Sequence, residues 1–230
     1  MKKGLAAAGM TCILLAAVFL GGMEFRRWEE SLPAGGGDAA LEEREEIKQV
    51  ALTFDDGPSG ACTEALLDGL RERNVKATFF VIGMYAEQYP DIIRRMAQEG
   101  HVIGNHTYHH VQLSRLSDQQ AQEELEMTNE LIEDITGQQP IFARPPFGSW
   151  NKKKEFPADL IPVLWNVDPL DWKTYQTDTV VSRIMNNVED GDIILLHDSY
   201  PTSVEAALRT IDMLREEGYV FVTVDELMFG

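Results

Sequence analysis

The sequence predicts an α/β fold: seven strands paired in parallel and curled into a barrel smaller than an eight-stranded one. Three observations carry this expectation. Short runs rich in β-branched and aromatic residues alternate with stretches of helical periodicity from about residue 48 to the C-terminus. Strands separated by helices pair in parallel through right-handed crossovers. Seven such runs fit into about 180 residues, less than a full (β/α)8 barrel occupies. An open doubly wound sheet is the structural alternative.

In chain order the predicted strands are VALTF (50–54), TFFVI (78–82), HVIG (101–104), IFAR (141–144), VLWNV (163–167), IILLH (193–197) and YVFVTV (219–224). Helices are expected over about 61–73, over 84–99 with Gly100 as a left-handed terminator, and over 178–188 and 203–217, the last closed by Gly218. A longer helix starts after Ser117, where SDQQ has the capping-box pattern, and ends at Gly137. The segment GSWNKKKEFPADL (148–160) is short for a helix-bearing connection, so an abbreviated fourth crossover is expected.

The chain of 230 residues is long enough for one domain with accessories, and 44% hydrophobic and 25% charged residues suit an ordinary core. A formal net charge of −18 argues against nucleic-acid binding through a basic surface. The two cysteines, Cys12 and Cys62, are too far apart in character and position to form a framework and read as free. Between Gly4 and Met23 there is no charge, and these twenty residues at about 1.5 Å each match a bilayer's hydrocarbon thickness. The run ends LGGMEFRRW, a poor cleavage site, so residues 1–27 read as a signal anchor, with a cleaved signal as the alternative. Lys2 and Lys3 favour a cytoplasmic N-terminus, Arg26 and Arg27 weaken that bias, and export of the globular part is expected. Residues 28–47, with Pro33, three glycines and a run of acids, read as a linker, leaving 48–230 as one globular domain.

Candidate chemistry falls at the carboxyl ends of the predicted strands. Asp55-Asp56-Gly57-Pro58 follows the first, Asn105-His106 the third, Arg144 ends the fourth, Asp168 to Trp172 follow the fifth, and His197-Asp198 the sixth. That is the face on which α/β barrels place their active sites. The stretch GNHTYHH (104–110) holds three of the five histidines, and His106 with His109 or His110 could face one way on a helical turn. Two imidazoles and one carboxylate leave an open position on a catalytic divalent ion. Successive strand residues face opposite ways, so one of Asp55 and Asp56 would bind metal and the other act as general base. A plain Asp-Gly-Pro turn is the alternative for this pair. His197 shares the face, and Asp171 is available to hold its second nitrogen, which suits a general acid. Arg144 would pair with the base, or serve as a structural ion pair. Trp165 reads as core, whereas Trp172 can also wall the pocket.

Together TFDDGPS (53–59), HTYHH (106–110), RPPFG (144–148), DPLDW (168–172) and LLH (195–197) resemble the five motifs of the polysaccharide deacetylase family, carbohydrate esterase family 4. The resemblance implies a distorted (β/α)7 barrel and one divalent metal ion, usually zinc and sometimes cobalt or another ion. It further implies Asp55 as general base, Asp56, His106 and His110 as metal ligands, and Arg144 as the residue orienting the base. Asp171 would partner His197, the catalytic acid, while the Phe147 amide serves the oxyanion and Leu195 lines the acetyl pocket. Phe147 departs from the tyrosine common in the family. The implied activity is N-deacetylation of an N-acetylated glycan, and the anchor places it at the cell wall, favouring peptidoglycan. Alternatives are a chitooligosaccharide deacetylase, an O-acetyl esterase on acetylated xylan, and a non-catalytic glycan-binding module.

Overall fold

A computed structural model describes residues 47–152 and 156–230. The expected anchor (1–27) and nearly all of the linker (28–47) lie outside the described residues, among which no helix is long and apolar enough to cross a membrane.

Seven parallel strands form one sheet: β1 (Lys48–Asp55), β2 (Thr78–Val81), β3 (Val102–Asn105), β4 (Phe142–Ala143), β5 (Ile161–Pro162), β6 (Asp192–His197) and β7 (Tyr219–Val222). The hydrogen-bonded order is β5-β4-β3-β2-β1-β6, and β7 also pairs with β1. β1 is the hub: Val50, Leu52 and Phe54 enter the main core with Leu66, Leu67, Phe79, Ile194 and Leu196. Such strands, buried on both faces, read as continuous apolar runs. After β5 the chain makes one parallel bridge, Val167 to Ile194, so the sheet curls back toward β6 without a regular closing ladder.

The helices are α1 (Ala61–Glu72), α2 (Gly83–Gln88), α3 (Pro90–Gln98), α4 (Asp118–Thr136), α5 (Asp171–Thr174), α6 (Thr177–Met185), α7 (Pro201–Glu216) and α8 (Val224–Phe229). Ser117 and Gln120 form a capping box at the start of α4, and Gly137 ends it at φ 75°. Three expectations need correction. The helix over 84–99 is two, because Pro90 cannot continue the first and instead opens α3 as its first residue. The strand over 219–224 stops at Val222, where Thr223 and Glu226 form a capping box for α8. The fifth strand is Ile161–Pro162, not 163–167: the carbonyls of Val163 and Leu164 accept from the Arg144 guanidinium and are lost to a ladder. Between β4 and β5 the described residues contain only two single 3-10 turns, Pro146–Gly148 and Pro157–Asp159.

Candidate active site

The site begins at the end of β1. Asp55 is the last strand residue, and in the parallel register its Cα is paired with His197 of β6 on one side and Phe80 of β2 on the other. An extended strand would turn Asp56 to the opposite face. Instead Asp56 takes φ 71°, the left-handed region that disfavours non-glycine residues, and both carboxylates reach one pocket. His106 Nε2 lies 3.8 Å from Asp55 Oδ2 and 3.4 Å from Asp56 Oδ1.

The histidine cluster is a loop, which corrects the helical-turn expectation. Thr107 (φ 65°) and His110 (φ 55°) both adopt left-handed backbone, bringing the His106 and His110 rings to 5.0 Å between centroids. The loop is held from below and outside. Buried Asn105 accepts from the Thr107 N–H and donates to the Leu125 carbonyl and Asn129 on α4. The Thr107 hydroxyl accepts from Val111 N–H, while Glu124 accepts from the Tyr108 and His109 amides and sits 2.8 Å from His109 Nδ1. His109 is thereby drawn to the exposed side, away from Asp56.

Asp56, His106 and His110 offer ligand atoms that all lie within 4.8 Å of one another. Asp56 Oδ1 is buried without a hydrogen-bond partner, 3.4 Å and 3.3 Å from the two Nε2 atoms. His106 Nδ1–H donates to the Arg144 carbonyl at 2.6 Å, which leaves Nε2 with a lone pair facing the carboxylate. Two imidazole nitrogens and one carboxylate oxygen fit a divalent cation with positions left for water or substrate. The electrostatics agree with that donor set. Burial opposes the Asp56 charge, but His106, His197 and His110 outweigh it and hold the carboxyl below its ordinary value. Burial, then the neighbouring His106, pushes His110 down toward its neutral, ligating form.

Arg144 is fully buried at the end of β4. Its guanidinium donates to Asp55 Oδ1 (2.8 Å), Thr53 Oγ1 (2.7 Å), Val163 O (3.2 Å) and Leu164 O (3.1 Å), and stacks 4.2 Å above the Phe80 ring. Burial lowers its proton affinity and the Asp55 charge opposes that. Three further acceptors fix the guanidinium, and its bond to Asp55 in turn orients the carboxylate, a role that suits the guanidinium fork.

His197 ends β6 with Nδ1 2.9 Å from Asp171 Oδ1, and the other oxygen of this fully buried carboxylate accepts from the His197 amide. Asp171 is the first residue of α5, reached through Leu170 in left-handed backbone with its amide bonded to Asp168. Burial disfavours the imidazolium, yet the Asp171 hydrogen bond and charge, with Asp55 and Asp56, raise its pKa to about 9. Nε2 is left toward the pocket, 3.9 Å from Asp56 Oδ2.

Asp55, Asp56, His106, His110 and His197 line one cavity of about 580 Å³, walled by Phe147, Trp165, Trp172, Tyr175, Leu195 and Tyr200. Leu195 is buried, Trp172 is 43% exposed, and Phe147 is 68% exposed with its ring 4.9 Å from His110. Phe147 takes φ 61° and ψ 16°, left-handed backbone between Pro146 and Gly148.

Four supporting residues have roles that the sequence did not assign, although Thr53, Asn105 and Asp198 fall within or beside its motifs. Thr53, fully buried, passes a hydrogen bond from Arg144 to the Ile194 carbonyl. Its signal was a lone hydroxyl in an apolar strand. Asn105 and Glu124 shape the histidine loop, and nothing in the sequence connects Glu124 to it. Asp198, buried against Gly57, accepts from Thr63 at 2.6 Å, and burial raises its pKa to about 7 despite that bond. A Cβ on Gly57 would lie 2.3 Å from Asp198 Oδ2, so only glycine fits there.

Residues 42–159 match the family model for polysaccharide deacetylase. The chain belongs to the polysaccharide deacetylase family. Among curated members, it is 43% identical over 180 residues to the peptidoglycan-N-acetylmuramic acid deacetylase PdaC of Bacillus subtilis, covering 78% of this chain and 38% of that protein. A peptidoglycan-N-acetylglucosamine deacetylase of Bacillus cereus is 38% identical over 190 residues, covering 78% of this chain and 68% of that one. The solved structure of the Bacillus subtilis PdaC deacetylase superposes with a TM-score of 0.77 at 43% identity, over 79% of this chain and 90% of that chain. The chain thus spans well under half the length of full PdaC, and most of the length whose structure is solved. The family's distorted barrel of parallel strands is the architecture described above.

Proposed function

We propose that the chain is a metal-dependent N-deacetylase of an N-acetylated cell-wall glycan, releasing acetate. The observation that carries the reading is convergence: three potential metal ligands, an Arg144-oriented carboxylate and an Asp171-oriented imidazole face one aromatic-walled cavity. Asp56, His106 and His110 would hold the ion, with zinc the first choice for this donor set and cobalt an alternative. When bound, a divalent ion polarises a water molecule and the acetamide carbonyl. Asp55, held by Arg144, takes the proton from the attacking water. The Phe147 N–H would donate to the oxygen of the tetrahedral adduct, Phe147 being part of the cavity wall. His197, charged at neutral pH, gives its Nε2 proton to the departing amine while Asp171 holds the ring. Leu195 and Trp172 enclose the acetyl methyl.

Peptidoglycan is the preferred polymer, since the similar Bacillus proteins are named for it and residues 4–23 suit an anchor that leaves the domain outside the membrane. We place the protein at the cell membrane, with the glycan and the bilayer as its contacts and no nucleic acid. The test is acetate release from purified wall glycan, chitin oligomers and acetylated xylan, with and without a chelator. Release from wall glycan that the chelator abolishes and zinc restores supports the reading. Release only from acetylated xylan would make the chain an O-acetyl esterase, and release from none a glycan-binding module. Protease accessibility of the domain on intact spheroplasts tests the location.

A further inference from the structure

The catalytic cavity does not end at Phe147. That ring also lines a trough of about 530 Å³ together with Val111, Gln112, Arg115 and Leu116. Leu116 in turn lines a third cavity of about 710 Å³, whose walls include Trp150 and Phe156. Phe147 is thus common to the first two and Leu116 to the last two, so the three lie side by side on the surface, next to the reacting unit.

One residue of the trough differs from the other arginines among the described residues. Arg71, Arg73, Arg94, Arg95, Arg144 and Arg209 each pair with a carboxylate, and Arg183 and Arg215 donate to carbonyls. Arg115 is exposed, and its guanidinium has no partner among the described residues. Its backbone is nonetheless firmly placed. It closes the single 3-10 turn Leu113–Arg115, whose Leu113 is buried, and the flanking Gln112 and Ser114 side chains both bond Ser149 at 3.0 and 2.8 Å. Ser149 lies two residues from Phe147, so the turn and the lip of the cavity are tied together.

The charge around this position gives it a use. The chain carries a formal net charge of −18. A neutral glycan needs no help to approach such a surface, whereas an anionic one is repelled. A free guanidinium over an apolar trough matches a carboxylate in a two-pronged bond while the ring faces of the sugar rest on Phe147. We propose that Arg115 is a specificity residue that binds a carboxylate on the sugar next to the one deacetylated, selecting acidic wall glycan over neutral chitin. This rests on the glycan-deacetylase reading above. The carboxylate has two sources: the lactyl ether of muramic acid, or the acidic residues of an attached peptide.

The test compares the full chain with R115Q and R115K on three probes of equal sugar number: peptide-free wall glycan, peptide-bearing wall glycan and chitin oligomers. Acetate release and equilibrium binding are both measured, at low and high salt. R115Q is expected to raise KM and Kd about five- to tenfold on an acidic probe, leave kcat within twofold, and leave chitin values unchanged. R115K recovers part of the loss. A deficit on the peptide-free probe assigns the lactyl carboxylate, and one confined to the peptide-bearing probe assigns the peptide. Equal effects on all three probes, or none on either acidic probe, overturn the proposal. If the wild-type chain releases no acetate at all, the deacetylase reading fails by itself. Binding then decides for Arg115: a preference for acidic glycan erased by R115Q sustains the role, and no preference ends it.

Discussion

Replacing Arg144 with methionine isolates the buried ion pair at the centre of the site. Methionine nearly preserves the volume and keeps the stacking against Phe80, but removes every donor. Asp55 loses its partner in a place where both side chains are almost fully shielded from water. Breaking such a pair from one side costs about 3–5 kcal/mol. The Thr53 hydroxyl and the Val163 and Leu164 carbonyls also lose a donor, which keeps the estimate near the upper end of that range. Asp55→Asn costs less, about 1–3 kcal/mol, because Arg144 retains its other three acceptors and an amide oxygen. The double variant R144M/D55N should therefore be about 2 kcal/mol more stable than the sum of the single losses predicts. Urea unfolding followed by tryptophan fluorescence measures this, with an unchanged slope securing the comparison. Metal content gives an independent readout. His106 is anchored to the main-chain carbonyl of residue 144, which methionine supplies equally well. R144M should bind its ion stoichiometrically and lack activity. Additive losses within about 0.5 kcal/mol, or loss of the metal from a folded R144M, would refute the account of Arg144.

Three other outcomes are expected. His106→Ala and His110→Ala should each weaken metal binding at least about a hundredfold, while His109→Ala keeps one ion per chain, as read by titration calorimetry and elemental analysis. His197→Ala should lower kcat on an acetamide by about 10²–10⁴ and on an activated acetate ester much less, since an alkoxide leaves with less help than an amine; equal losses would remove His197 from the acid role. The fourth concerns stability against pH. His101 packs on Phe79, and its Nδ1 accepts the Ala77 N–H, a bond that only the unprotonated nitrogen makes. Burial, then the Lys76 charge, lowers its pKa from 6.5 to about 4. The unfolded chain therefore binds the extra proton first, so the contribution is complete above pH 6.5 and declines as pH falls toward 4. The loss amounts to roughly 3 kcal/mol. His101→Gln, measured by urea unfolding between pH 7 and 4, should flatten that slope; an unchanged slope would place the titration elsewhere.

How much was legible beforehand differed by residue. The apolar runs around Phe54, Phe80 and Leu196 announced buried parallel strands, because a strand covered on both faces has no polar alternation to break it. Ser117, Gln120 and Gly137 marked both ends of α4 through local chemistry alone. The fifth strand was misplaced because what prevents it is distant: a guanidinium from β4 takes the carbonyls of Val163 and Leu164. The likeness of Thr223-Val-Asp-Glu226 to a capping box was hidden by the β-rich run before it.

The sequence by itself placed Asp55, Asp56, His106, Arg144 and His197 at the carboxyl ends of strands, since the ends of β1, β3, β4 and β6 follow from local residue patterns, whereas Asp171 stands well past the end of β5. It therefore supplied the candidates Asp55, Asp56, His106, His110, Arg144, Asp171 and His197. Tertiary structure decided how they face one another. Asp56, Thr107 and His110 adopt left-handed backbone that no sequence pattern demands, and only this brings two adjacent aspartates and two loop histidines to one point. It also decided the bonds that orient them, from residue 144's carbonyl to His106 and from Asp171 to His197, across 38 and 26 positions of chain. Such partners are set by sheet order and register, and these exist only once the whole chain has folded.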